Sequence, residues 1–268
     1  MGIAPARLRL KPAGADWGRL GQISVEKLGK LKQRSGWGCL IGCMRKRDLV
    51  GRFRGRRLFY LEEVIEAFGE AESHRSIINR MGCWQRQGVV ERLRREVYTL
   101  APELRVPELR RVSALACVDE LYGPAYVSSW WAAGWYGLIA GMPAHVTAVC
   151  PRKSAAFTTS FGHVCYRQMQ PGLLFGFHTV EIGGQLVKLA NKEKALLDLL
   201  YLEVHALKMR KFADLKVNPF EFERLNYERL YLYDRRFLHI NRRGCWPDTV
   251  SRFIDRLNKS SHFFNAVD

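Results

Sequence analysis

The stretch LFYLEEVIEAFGEAESHRSIINRMGCWQRQGVVERLRREVYTLAP, residues 58–102, decides how the rest of the chain is read. Leu61, Val64, Ile65 and Phe68 fall at i, i+3, i+4 and i+7, which gives one apolar face to a short helix. Gly69 ends that helix and Glu70–Glu72 make a polar turn. Ser73 is a fitting N-cap for a second helix, because its hydroxyl can accept a bond from a free first-turn amide. On this second helix Ile77, Met81 and Trp84 form a buried stripe, leaving His74, Arg75, Asn79, Arg80 and Arg86 to face outward. Gly88 stands where a helix C-terminal glycine is needed. Val89–Thr99 then reads as a two-stranded ribbon turning near Arg94-Arg95-Glu96. Two short helices and a basic hairpin make a winged helix–turn–helix, whose second helix enters a major groove while the wing lies along phosphates. The plainer reading is a small helical domain with a solvated basic face.

The bulk charge agrees with a polyanionic partner. Lys plus Arg number 43 against 26 acidic residues, a net +17. Residues 1–60 carry 15 of those cations and 3 acids, so +12 lies at or before the first reader helix. A field of that sign and placement favours DNA ahead of an anionic membrane surface. Arg45-Lys46-Arg47, followed by Arg52, Arg54, Arg56 and Arg57, is the densest run. Arg45, Lys46, Arg54, Arg56, Arg92, Arg94 and Arg95 are the candidate phosphate contacts, and His74, Arg75 and Asn79 the candidate base readers. The seven cysteines, at 39, 43, 83, 117, 150, 165 and 245, form no C-x-x-C pair, so reduced thiols in a cytoplasmic protein are expected rather than a zinc site. No cofactor is called for.

Outward from the reader, residues 1–37 mix Gly, Pro and basic residues and read as a poorly ordered arm with a short helix near Val25–Leu31. Residues 38–102 are the winged helix, beginning with a helix over Leu40–Phe53. Residues 103–111, proline-bounded and polar, read as a linker. Residues 112–268 are then a mixed α/β domain with terminal helices, so the fold class is α+β. No charged side chain occurs between Gly123 and Pro151, but the small and polar residues there favour a buried helix followed by a strand over a membrane span. Strands are expected at Val146–Cys150, Ala156–Thr159, Val164–Arg167, Thr179–Ile182 and Gln185–Leu189. Helices follow at Lys192–Val204, with Ala195, Leu196, Leu199 and Leu200 on one face, after Asn218-Pro219, over Tyr227–Arg235, and over Pro247–Leu257.

The second domain carries a resemblance. Leu121-Tyr122-Gly123-Pro124-Ala125-Tyr126-Val127-Ser128, Gly137-Leu138-Ile139, Phe161-Gly162, Tyr166-Arg167, Leu173-Leu174-Phe175-Gly176 and Glu193-Lys194-Ala195-Leu196-Leu197-Asp198-Leu199-Leu200-Tyr201 occur in an order that resembles the AbiEi family. These are the antitoxin halves of type IV, abortive-infection toxin–antitoxin pairs, and with the winged helix the likeness spans about residues 58–257. It implies an autorepressor that binds inverted repeats in double-stranded DNA, as a dimer on the operator. It also implies a C-terminal domain that counters a nucleotidyltransferase toxin without a stable complex. Glu193, Lys194 and Asp198 are the candidate antitoxin surface. Where the family's wing turns on Arg-Gly, this chain has Arg95-Glu96, so a positive-φ turn is not favoured there.

A metal-dependent nucleic-acid-processing enzyme with a nuclease-like second domain is the alternative for a basic protein. Its acid-and-lysine core would appear as D/E-x-K. The single such triplet is Asp214-Leu215-Lys216, in a surface-like stretch. His163 and Cys165 share one strand face without further ligands. No catalytic residue and no metal ligand is therefore assigned, and a non-enzymatic DNA-binding protein is expected.

Overall fold

The computed structural model describes residues 44–206 and 218–240. The chain begins with α1 (Lys46–Phe53), a two-residue strand β1 (Phe59–Tyr60), α2 (Leu61–Phe68) and α3 (His74–Arg86). A hairpin of β2 (Val90–Arg94) and β3 (Val97–Leu100) follows, and β1 joins it in a sheet of order β1-β3-β2. Local chemistry accounts for the boundaries. The Ser73 hydroxyl accepts from the Ser76 amide at 3.3 Å and so begins α3. Gly88 ends it at φ +69°, a conformation that a side chain would resist, and the Val89 amide returns to the Trp84 carbonyl at 2.9 Å. The hairpin turns on Arg95-Glu96, and Glu96 does take a positive φ of 63°, against the sequence expectation. The hairpin's own pairs, Arg92 with Tyr98 and Arg94 with Val97, flank the turn, and from outside the Glu96 carbonyl accepts the Leu61 amide at 2.9 Å.

Residues 103–111, expected as a linker, contain two 3-10 turns, Pro102–Leu104 and Pro107–Leu109. Arg105 between them is buried and donates to the Leu100 carbonyl at 2.8 Å. Helix α4 (Ala114–Tyr122), capped by Ser113, leads to β4 (Tyr126–Val127), α5 (Ser129–Trp135), β5 (Val146–Cys150), β6 (Ala155–Thr159), β7 (Gly162–Gln168), β8 (Phe177–Ile182) and β9 (Gln185–Ala190). These six strands form one sheet of order β6-β7-β5-β4-β9-β8, with β5–β7 and β4–β9 parallel and the other pairs antiparallel. Gly183-Gly184 makes the β8–β9 turn with both residues at positive φ. Then come α6 (Lys192–Ala206), α7 (Pro219–Glu223) and α8 (Tyr227–Ile240). Asn218 and Asn226 cap the last two, accepting from the Phe220 amide at 3.2 Å and the Arg229 amide at 2.9 Å. The protein is thus α+β, with eight helices and two sheets among the described residues.

Two apolar cores result. The smaller gathers Leu49, Phe53, Phe59, Val64, Ile77, Met81, Trp84, Val90, Tyr98 and Leu100. The larger surrounds the six-stranded sheet and includes Leu121, Tyr126, Val149, Tyr166, Leu189 and Leu200. Leu58, Leu93 and Val97 belong to this larger core. Alternation along β2 and β3 therefore sends Val90 and Tyr98 to one side and Leu93 and Val97 to the other. The hairpin is a wall shared by both cores, and all the described residues fall in one compact unit.

Helix α6 departs from the expected single apolar face: every residue from Glu193 to Leu200 is buried, because α8 and α5 pack against it. The short helix near Val25–Leu31, the start of the Leu40–Phe53 helix, Cys39, Cys43, Asp214-Leu215-Lys216, Pro247–Leu257 and Cys245 lie outside the described residues. Among the described residues no helix is long and apolar enough to cross a membrane.

Candidate nucleic-acid interface

Helix α3 has two sides of opposite character. Ile77, Met81 and Trp84 are buried on one, while His74, Arg75, Ile78 and Asn79 are exposed. At 3.6 residues per turn, Arg75, Ile78, Asn79 and Gly82 share an arc of about 100°, with Arg75 and Asn79 facing away from the core and Ile78 at the edge that borders Met81. Arg75 offers a planar fork of donors and Asn79 an amide that both donates and accepts, the two functions that major-groove base edges can pair. Arg80 is not free to join them: it forms an ion pair with Glu72 at 3.0 Å. Glu72 also accepts the Ser76 hydroxyl at 2.9 Å and the Met44 amide, which ties the α2–α3 turn to the entry of α1.

The expected phosphate-binding arginines divide into those offered to solvent and those engaged. Arg45, Lys46, Arg54, Arg92 and Arg95 are exposed, although Arg95 lies 3.4 Å from Glu96 and Arg92 leans on the Arg94 carbonyl at 3.4 Å. Arg56 pairs with Glu63 at 2.6 Å on the surface. Arg94 departs from expectation. Its guanidinium turns inward, donating to the Leu121 carbonyl at 2.5 Å and lying 5.9 Å from the centre of the Tyr122 ring. Burial of Leu93 and Val97 rotates this end of the hairpin onto α4 and takes Arg94 with it. Arg57 likewise pairs with Glu120, and the Tyr60 hydroxyl donates to the Glu120 carbonyl at 2.7 Å. The end of α4 is thus a socket for two side chains of the small sheet, Tyr60 and Arg94, and for Arg57 just before it.

The candidate antitoxin surface is not a surface. Lys194 and Asp198 have no exposed area and Glu193 is 3% exposed. The Lys194 ammonium donates to Asp198 and to the Tyr126 hydroxyl at 2.9 Å. Asp198 Oδ2 accepts the hydroxyls of Ser128 at 2.7 Å and Tyr126 at 3.1 Å. The rings of Phe175 and Phe237 each lie 4.9 Å from the ammonium and close the cage. Burial pulls the Lys194 ammonium down and pushes the Asp198 carboxyl up, each opposed by the charge of the other. Burial first, and then the Asp198 charge, hold the Tyr126 hydroxyl well above its ordinary range. Glu193 Oε1 accepts the Asn226 amide at 2.9 Å and Oε2 faces Arg229 at 3.5 Å, so it anchors the start of α8. The i, i+4 spacing of Lys194 and Asp198 was legible; Tyr126 and Ser128, some seventy residues earlier, together with Phe175 and Phe237, are what enclose them.

Cys83, Cys117, Cys150 and Cys165 are free thiols. Burial is the main cause that pushes Cys117 up to about 12, which leaves it a small apolar side chain at neutral pH. His163 faces the His145 ring edge-on at 5.7 Å and bonds the Thr158 hydroxyl at 2.8 Å, on the exposed side of β7. Among the described residues no group of three or more His, Cys, Asp and Glu side chains is placed to hold a metal ion. Sequence reasoning missed Ile78 and Gly82, whose signal was their spacing from Arg75. It also gave no role to Tyr126 and Ser128, which stood only within the Leu121–Ser128 run of the resemblance. No family model and no curated protein matches this chain.

Proposed function

We propose that this protein is a sequence-specific DNA-binding transcriptional regulator. In this reading α1, α2, α3 and the β2–β3 hairpin are a winged helix–turn–helix, α3 enters the major groove, and the hairpin lies along the backbone. The observation that carries it is the two-sided character of α3: a fully packed stripe behind, and an uncommitted arginine, asparagine and histidine in front. Arg75 and Asn79 read base edges, with His74 at the helix start. Arg45, Lys46, Arg54, Arg92 and Arg95 contact phosphates, supported by the basic segment before α1. Arg94 serves instead to fix the hairpin against α4. The likeness to AbiEi antitoxins extends the proposal to autorepression at an inverted repeat and to countering a nucleotidyltransferase toxin. Glu193, Lys194 and Asp198 then act by shaping the domain, since none of them can touch a partner.

The test is selection of binding duplexes from a random library by the full-length protein, repeated with Arg75→Ala and Asn79→Ala. A lost bidentate contact costs about 1–3 kcal/mol of discrimination, so each variant should lose preference at one position. Neutralising Arg54 should leave the preferred sequence unchanged and reduce the slope of log affinity against log salt by about 0.9. An unaltered preference in both α3 variants removes this helix as the reader.

A further inference from the structure

Ile78 is the feature of α3 that the proposed contacts leave unused. It is 48% exposed, and no other large apolar side chain among the described residues before Ala114 is exposed. One exposed isoleucine is ordinary on a protein surface. Its neighbours make this one different. Ile78 lies three residues after Arg75 and directly before Asn79, on the exposed arc of α3 at the edge that borders Met81. Four residues further on, on the same arc, is Gly82. A Cβ built there would meet only the Arg86 Nη1 atom, at 3.9 Å, so nothing within the fold asks for glycine. Both residues weaken the helix: isoleucine is β-branched, and glycine in mid-helix gives up the most backbone freedom. A helix face that carries this combination, with no internal reason for it, is shaped for something outside that comes close to its backbone.

We infer that Ile78 reads a thymine, by packing against its C5-methyl group in the major groove, with Gly82 allowing α3 to seat closely enough for that contact. This rests on the DNA-reading proposal above and adds to it a specific base. The chemistry selects the base. In the major groove each base edge offers donors and acceptors, and thymine alone adds an apolar group. An isoleucine between an arginine and an asparagine has no hydrogen bond to give there, so the methyl is its match. Its two neighbours fix the register along the groove.

Full-length protein is used to select a preferred duplex, and each thymine in that duplex is then replaced in turn by deoxyuridine, which lacks only the methyl. At one position per bound protomer the wild-type affinity should fall about fourfold, the value expected for exposing one methyl group to water. Ile78→Ala should bind the parent duplex about fourfold or more weakly and be indifferent to uracil at that position. Ile78→Val, which keeps two methyl groups, should retain part of the sensitivity. Melting curves confirm that both variants are folded. A wild-type protein that selects a sequence yet tolerates uracil everywhere overturns the inference and leaves the DNA reading standing. So does an Ile78→Ala variant as uracil-sensitive as wild type. If no duplex is enriched, the DNA reading falls and the inference with it.

Discussion

Replacing Asp198 by asparagine should expose what the buried cage costs to maintain. Asp198 is fully enclosed and is, among the described residues, the anion bonded to the Lys194 ammonium, which is itself fully enclosed. Asparagine keeps one acceptor, for the Ser128 and Tyr126 hydroxyls, and turns its NH2 toward Lys194, so the change removes both the counter-charge and the carboxylate acceptor of the ammonium. Breaking a buried pair on one side costs about 3–5 kcal/mol. An independent bound follows from proton release: at pH 7 a lysine with an ordinary value near 10.4 can be neutralised for about 1.36 kcal/mol per unit, or roughly 4.6 kcal/mol. The two routes agree that Asp198→Asn loses about 4 kcal/mol, a large part of the 5–15 kcal/mol typical of a domain. The pH dependence is the sharper signature. With its counter-charge gone, folded Lys194 binds its proton less well than the unfolded chain does. The unfolded state then holds more protons, so stability rises with pH, by up to about 1.4 kcal/mol per unit relative to wild type below pH 10. Urea unfolding at pH 7, 8 and 9 reads both quantities. The double change Lys194→Met, Asp198→Asn removes both charges and should recover most of the loss and abolish the pH dependence. An Asp198→Asn protein within about 1 kcal/mol of wild type, or one with no added pH dependence, would refute the argument that the cage holds a charged pair.

Gly82→Ala should stabilise α3 by about 0.5–1 kcal/mol and raise the melting temperature by about 1–4 °C, while weakening binding to the selected duplex. A stabilised variant with undiminished affinity would show that this face meets nothing. Glu96→Gly should add about 0.5–1 kcal/mol in urea titration, because a left-handed residue is strained unless it is glycine. A loss would mean that the Glu96 side chain contributes more than its exposed contact with Arg95 suggests. For Cys117 the sign is set by a folded value near 12 against an ordinary one near 9. Above about pH 8.5 the unfolded chain releases this proton and the folded chain keeps it, so stability should fall as pH rises, and Cys117→Ala should fall less steeply. Equal slopes in the two proteins would contradict it.

The elements that announced themselves in the sequence are those whose signals are local. Ser73, the Ile77–Met81–Trp84 stripe and Gly88 mark α3 because a cap, a 3.6-residue period and a left-handed exit each act within a turn or two. The strands from Val146 to Ala190 were legible for the same reason, bounded by Phe161-Gly162 and Gly183-Gly184. Helix α4 gave no comparable signal. It is nine residues long, and Ala114, Ala116, Cys117, Val118 and Leu121 are all buried, too many sides for a single stripe. Strand β4 is two residues long and gains its identity only from β5 and β9 on either side. At the candidate sites, residue type pointed outward while tertiary contacts pointed inward. Arg94 and Glu193 are residues usually found in water, and each was captured by an element distant in sequence, α4 in one case and α8 in the other. Spacing cannot register a partner that arrives thirty residues later.

The hairpin shared by both cores has a consequence for how the molecule breathes. Transient openings of a protein normally release its weakest segments first, and the hydrogen-exchange rate of each amide reports the opening that exposes it. An excursion that frees α1–α3 strips one face of β3, and one that frees the six-stranded sheet strips the other. The side chains of Tyr98 and Leu100 pack into the first core and that of Val97 into the second, while the amides of this central four-residue strand lie in the sheet plane between them. Those amides should therefore exchange together, at the slowest rate in the chain. The last protons to leave would mark the hairpin, a kind of element that elsewhere often frays early.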